Sequence, residues 1–300
     1  MERSGILVID KPTGPTSFDV VARVRSTLKT PKVGHTGTLD PLATGVLPIC
    51  IGSATKLAGY LTEGDKTYEA TVRLGESTDT QDAQGTILQK REVVDLTPAR
   101  LEATLQRFRG PILQIPPMYS AVKVDGKRLY ELARKGQEVE RAPRPVTVYA
   151  FELLEFGVPE IRIRVRCSKG TYVRTLAHDL GEALGFGAHL TALRRTQSGP
   201  FSIAEAIPLQ QVVELGPARR EEAFAWLRPL AEAFAELPTL QLDAALVARK
   251  VLHGQPLELP ASLAVPEGQK VRLLGPSGEM VALAERRGAQ LRYLRVLAGA

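Results

Sequence analysis

The chain has 300 residues, 44% hydrophobic and 24% charged, which is ordinary for a soluble globular protein and sufficient for one large domain with a smaller companion. Disordered and fibrous classes are excluded by that balance, and a longest apolar run of Gly45 to Ile51 is far short of the roughly 20 residues that cross a bilayer. Thirty-nine Lys and Arg against 33 Asp and Glu leave a net charge of +6, and 27 of the basic residues are arginine, whose planar fork suits phosphate and hence a polyanionic partner.

Two cysteines, Cys50 and Cys167, and four scattered histidines lack the spacing of a zinc site. With no basic-then-apolar leader, a reduced, cytoplasmic, metal-free protein without a membrane partner is expected.

The chain opens on a short apolar strand, Gly5 to Ile9, broken at Asp10-Lys11-Pro12 and Gly14-Pro15. Val20, Val21, Val24 and Leu28 then recur at helical spacing, with Ser17 as the predicted N-cap. Lys32 to Gly52 reads as turn-rich, and Lys56 to Leu61 as a helix. Thr67 to Leu74 and Thr86 to Gln89 alternate as strands around a polar loop, and a helix is predicted over Thr97 to Phe108. Prolines 116 and 117 forbid regular structure.

Lys123 to Arg144 holds seven basic residues, Lys127 and Arg128 among them, against Asp125, Glu131, Glu138 and Glu140, and reads as a basic arm. Ile161, Ile163, Val165 and Cys167 alternate with Arg162, Arg164 and Arg166, so one strand face is apolar and the other arginine. A helix follows Tyr172 and runs to about Leu184. Ala223, Leu227, Leu230 and Phe234 mark an amphipathic helix, Leu237-Pro238 a linker, and strands at Val271 to Leu274, Met280 to Leu283 and Leu291 to Val296 a small β-rich module.

The chemistry concentrates in Gly34-His35-Thr36-Gly37-Thr38-Leu39-Asp40-Pro41-Leu42-Ala43-Thr44-Gly45. Glycines allow close backbone approach, and Pro41 pushes Asp40 toward an extended conformation that aims its carboxylate. By residue type alone, Asp40 is either a nucleophile or the first residue of an ordinary Asp-Pro turn. No phosphate-loop or dinucleotide fingerprint is present.

That stretch resembles the catalytic motif of the TruB family of tRNA pseudouridine synthases. Further likenesses lie in Asp10-Lys11-Pro12, Lys66-Thr67-Tyr68, Thr78-Asp79 to Gly85, Gln114 to Ala121 and Cys167 to Arg174. The resemblance covers residues 5 to about 205, and from Leu240 it is a looser likeness to PUA-type RNA-binding modules. It implies an α+β fold with a mixed, mostly antiparallel sheet of the pseudouridine-synthase type, flanking helices and a small β-rich, PUA-like C-terminal domain. Residues 1–237 would form the catalytic domain, with the basic arm at about 116–146, and 238–300 the RNA-binding module.

The implied reaction is isomerisation of one uridine in the T-loop of tRNA, position 55, by a monomer needing no cofactor or metal. Asp40, Tyr68 and Arg174 take the catalytic positions. Arg174 would pair with Asp40 and favour its charged form; Tyr68 would stack on the flipped uracil and help move the C5 proton; His35 would fill the place the base leaves. Lys11, Thr38, Tyr172, Lys123, Lys127 and Arg128 are candidate contacts to the RNA, as are the arginine strand face and Arg194-Arg195. The loop Thr78 to Asp82 lacks calcium-loop spacing and reads as turn capping.

Competing readings are a guide-RNA-dependent relative, a tRNA-binding folding chaperone, and an aspartate hydrolase that would need a second acid or a metal near Asp40. If the arm binds phosphate, replacing Lys127 and Arg128 with Glu weakens tRNA binding and flattens its dependence on salt, measured by filter binding across ionic strength. Unchanged binding at every salt concentration would place the contact elsewhere.

Overall fold

The first helix forms because Thr16 and Asp19 close a capping box: the Thr16 hydroxyl accepts from the Asp19 amide at 3.1 Å, and the Asp19 carboxylate accepts from the Thr16 amide at 2.8 Å. The cap is therefore Thr16, one residue before the predicted Ser17, whose hydroxyl is used elsewhere. A computed structural model describes residues 3–124 and 126–297. Asp125 of the basic arm lies outside the described residues.

In chain order come β1 (Gly5–Lys11), α1 (Ser17–Leu28), β2 (Val33–His35), β3 (Thr44–Ile51), β4 (Lys66–Leu74), β5 (Glu76–Thr78) and β6 (Ile87–Lys90). They are followed by α2 (Pro98–Gln106), β7 (Gly110–Gln114), β8 (Lys123–Val124), β9 (Lys127–Arg128), β10 (Arg144–Glu155), β11 (Glu160–Cys167), α3 (Val173–Leu184) and β12 (Ala188–Ser198). The chain divides into two units, residues 40–46 with 63–203, and residues 1–39, 47–62 and 204–300.

In the unit of 40–46 and 63–203 the strand order is the start of β3, then β12, β4, β11, β10 and β7. Only the β3 to β12 pair is parallel; the others are antiparallel. The predicted alternation along β11 holds, with Ile161, Ile163, Val165 and Cys167 buried. Its arginine face is a ladder of exposed ion pairs, Arg162 with Glu155, Arg164 with Glu69 and Glu152, and Arg166 with Asp65. Each such pair contributes little in water, and the acids come from neighbouring strands and a loop that no reading of β11 alone includes.

Helix α3 packs through Leu176, Ala177, Leu180 and Leu184. A Cβ on Gly181 would stand 2.1 Å from the Ala188 backbone nitrogen, so glycine lets helix and strand meet. The basic arm is the hairpin β8–β9 with a short helix, Leu129–Ala133.

In the other unit β1 lies between the strand Ile207–Pro208 and β3, and β2 pairs antiparallel with Ile49 to Ile51 of β3. The segment read as turn-rich thus contains two strands, β2 and β3; β3 carries Gly45 and Pro48 within a run buried along nearly its whole length, where alternation is lost. The predicted helix at 56–61 begins as a 3-10 turn, Gly52–Leu57. The amphipathic helix expected across 223–234 is two short helices, Arg220–Ala225 and Leu230–Ala233, because Pro229 interrupts the hydrogen-bond ladder. Thr239–Gln241, Leu257–Glu258, Lys270–Leu274, Met280–Arg287 and Gln290–Val296 form a five-stranded sheet with its own core, including Leu242, Val251, Val271 and Leu273. No described helix is long and apolar enough to cross a membrane.

Gly45 has φ +98°, and a Cβ there would lie 2.2 Å from the Arg195 carbonyl oxygen. Gly45→Ala is expected to lower stability by at least about 2 kcal/mol, read from a urea midpoint; an unchanged midpoint would mean that β3 and β12 can separate freely.

Lys66 is 5% exposed, and burial, reinforced by the Arg195 cation, pushes its pKa down to about 8. Between about pH 8 and the usual lysine value the unfolded chain holds a proton that the folded chain has released, so this group makes stability rise with pH through that window. Lys66→Met should raise the unfolding midpoint at neutral pH and remove that rise, checked by denaturant titration on both sides of it.

Candidate active site

Asp40 sits in the loop between β2 and β3, where the Ala43 amide donates to its carbonyl at 3.0 Å. The preceding residue is anchored: the Ser17 hydroxyl accepts from the Leu39 amide at 2.8 Å and donates to the Leu39 carbonyl at 3.1 Å. The Asp40 side chain is 37% exposed, and its Oδ2 lies 2.9 Å from Nε of Arg174, which is 5% exposed. A reachable carboxylate is therefore oriented by an enclosed guanidinium.

Arg174 stands in the first turn of α3. That helix has no side-chain N-cap of its own; instead Gln114 of β7, 2% exposed, accepts from the Tyr172 amide at 2.8 Å and donates to the Tyr172 carbonyl at 3.1 Å. Arg174 Nη1 donates to the Thr80 carbonyl and Nη2 to the Tyr119 carbonyl, both at 2.9 Å. Nη1 also faces the buried Asp82 carboxylate at 3.5 Å.

Asp82 was not singled out by sequence reasoning, although it lies within the Thr78 to Gly85 stretch. That loop is a capping structure as expected, with Asp82 Oδ1 accepting from the Thr80 hydroxyl at 2.6 Å and from the Gln84 amide at 3.0 Å. It is also a second acid on the guanidinium that holds Asp40. Being 3% exposed and engaged on both oxygens, Asp82 has the role of holding Arg174 and offers no free carboxylate to a hydrolase.

Tyr68 on β4 is 9% exposed. Burial pushes its hydroxyl pKa up, while the Arg195 cation acts in the opposite direction, and Asp40 is close enough to contribute to the rise. Tyr172 is likewise pushed up by burial, with Asp40 again among the neighbours that act on it. Asp40 and Arg174 are thus in direct contact, and Tyr68 and Tyr172 lie near enough to Asp40 for its charge to act on their hydroxyls. Arg195, read above as a phosphate contact, is 1% exposed and cannot meet phosphate there; its neighbour Arg194 is half-buried.

The remaining candidates are placed as follows. His35 is half-buried, its Nδ1 accepts from the Gly37 amide at 3.2 Å, and its ring meets Phe18 edge-on at 5.4 Å. That bond leaves Nε2 as the nitrogen that carries the proton in the neutral ring. Thr38 is exposed, whereas Lys11 is fully enclosed with its ammonium donating to the Pro12 carbonyl at 2.9 Å. Lys123 and Lys127 are exposed on the β8–β9 hairpin, and Arg128 donates to the Tyr130 hydroxyl at 3.0 Å. Among the described residues no three His, Cys, Asp or Glu side chains converge as a metal site would require.

A family model described as the N-terminal domain of TruB family pseudouridylate synthase matches residues 25–173. One described as the tRNA pseudouridylate synthase B C-terminal domain matches residues 174–235. The chain is 50% identical over 283 residues to tRNA pseudouridine synthase B of Burkholderia mallei (strain NCTC 10247), covering 93% of this chain and 92% of the relative. It is 48% identical over 301 residues to the protein of the same name from Ralstonia nicotianae, covering 98% and 94%. Among solved structures it resembles a chain of a Cbf5-Nop10-Gar1 complex, with 30% identity, a TM-score of 0.77, and coverage of 98% of this chain and 85% of that one. With family descriptions spanning most of its length and relatives about half identical along nearly all of it, the chain belongs to the TruB family of pseudouridylate synthases.

Proposed function

We propose that this protein converts one uridine in the T-loop of tRNA, position 55, to pseudouridine, with Asp40 as the catalytic carboxylate. The observation that carries the reading is the Asp40 side chain, open to solvent and held at 2.9 Å by a guanidinium that is itself enclosed. In the overall change the N1–C1′ bond breaks, a C5–C1′ bond forms, C5 loses its proton and N1 gains one. Nothing is oxidised or reduced, so a carboxylate and proton-handling groups suffice.

A carboxylate fits three roles here: nucleophile at the sugar, nucleophile at the base, or base toward a ribose proton. Tyr68, buried beside it and kept as a neutral phenol by its raised pKa, presents a flat ring for stacking on uracil and a hydroxyl for proton movement. A base inside a stacked loop cannot be turned over, so the uridine must leave the stack at a cost of a few kcal/mol. His35, edge-on to Phe18, supplies a ring to fill the gap. The exposed cations of the β8–β9 hairpin and the PUA-like module at 238–300 would add phosphate contacts.

Membership of the family and the names of the bacterial relatives support the tRNA substrate. Asp40→Asn keeps the size of the side chain and removes its charge. It should abolish pseudouridine formation in an unmodified tRNA transcript, mapped by carbodiimide labelling and primer extension, while tRNA affinity stays within a few-fold. Normal turnover by Asp40→Asn would remove this residue from the mechanism. Tight binding without modification by the wild-type chain would favour the chaperone or guide-dependent reading.

A further inference from the structure

Arg195 has the largest fully buried side chain among the described residues. Enclosing a guanidinium is costly unless its donors are matched, so its partners indicate what it is for. In the register of β12 it stands opposite Tyr68 of β4 on one side and Gly45 of β3 on the other. Directly opposed residues on neighbouring strands are within side-chain reach. Its Nε donates to the Val46 carbonyl at 2.7 Å, and from its place opposite Tyr68 its cation acts against the rise that burial imposes on the Tyr68 hydroxyl pKa.

We propose that Arg195 is a positioning residue for the reaction, fixing the Tyr68 hydroxyl as a hydrogen-bond acceptor while gripping the strand into which the Asp40 loop runs. The direction of the bond follows from chemistry: a guanidinium has donors only. The Tyr68 oxygen must therefore accept from Arg195, and the phenol's own proton is turned away from it, toward whatever lies on the other side. One side chain, itself anchored on the Val46 carbonyl, thus sets the orientation of the O–H.

Lys66 lies on the same face of β4, two residues from Tyr68. Burial pushes the Lys66 pKa down, and the Arg195 cation adds to that shift. A lysine at 195 would supply a point charge in place of a planar fork and could not hold a fixed angle at both Val46 and Tyr68.

This inference rests on the reading of Tyr68 as the residue that meets the uracil, and the test separates the two. Full-length wild type, Arg195→Lys, Tyr68→Phe and the double variant are compared in single-turnover pseudouridine formation on an unmodified tRNA transcript. Folding is checked by thermal midpoint and affinity by filter binding. Arg195→Lys should lose at least about ten-fold in rate at saturation, with KM and tRNA affinity within about two-fold of wild type. Tyr68→Phe should lose at least as much, and the double variant should be no slower than Tyr68→Phe beyond about two-fold, since both substitutions disable one hydroxyl.

A wild-type rate in Arg195→Lys, losses that multiply in the double variant, or a loss of affinity with the rate intact would each overturn the proposal. Full activity in Tyr68→Phe would instead overturn the reading of Tyr68, and with it this use of Arg195. If Arg195→Lys does not fold, Arg195→Gln, which keeps one donor in a neutral side chain, is carried through the same comparison with the same expected losses.

Discussion

One enclosed guanidinium organises the site. Arg174 touches two carboxylates, Asp40 and Asp82, and two backbone carbonyls, those of Thr80 and Tyr119. Its planar, donor-only geometry imposes angles as well as distances on all four. Such a buried group is weak evidence of net stability, because removing it from water costs about as much as its contacts return. What it supplies is a single arrangement, in which one planar group is shared by two carboxylates and two carbonyls.

The arrangement is held by strands and caps distant in sequence. Gln114 of β7 takes over the N-cap of α3 through two hydrogen bonds to Tyr172, which fixes where the first turn, and therefore Arg174, begins. The β4–β12 register sets Tyr68 against Arg195, and the short parallel contact of β12 with Thr44 and Gly45 carries the chain out of the Asp40 loop. Gly45 is required at that contact because its positive φ and the proximity of the Arg195 backbone leave no room for a Cβ. A glycine that composition shows only as turn density thus acts as a spacer beside the Asp40 loop.

Elements with a strong local pattern were legible in advance. Alternation identified β4 and β11, and α3 was found to within a residue of its observed start. β3 and β12 were missed for two reasons. β3 is buried on both faces, so the alternation that marks a half-exposed strand is absent. β12 contains a register irregularity and two adjacent arginines, one enclosed and one half-buried, and a buried cation reads in sequence as a surface charge. The 223–234 segment failed in the opposite way, since a helical pattern was extended through Pro229.

Sequence alone determined the Asp40 loop as the candidate site, the family resemblance and most of the candidate residues, because the Gly34 to Gly45 stretch, Tyr68 and Arg174 are recognisable by residue type and local order. Only the tertiary structure decided which charges are enclosed. It turned Arg195 from a phosphate contact into a buried partner of Tyr68, enclosed Lys11, paired the β11 arginines with acids from other elements, and revealed Asp82 as the second carboxylate on Arg174. The physical reason is that burial and ion pairing depend on neighbours brought in by strand register and by loops distant along the chain, and no local pattern records those neighbours.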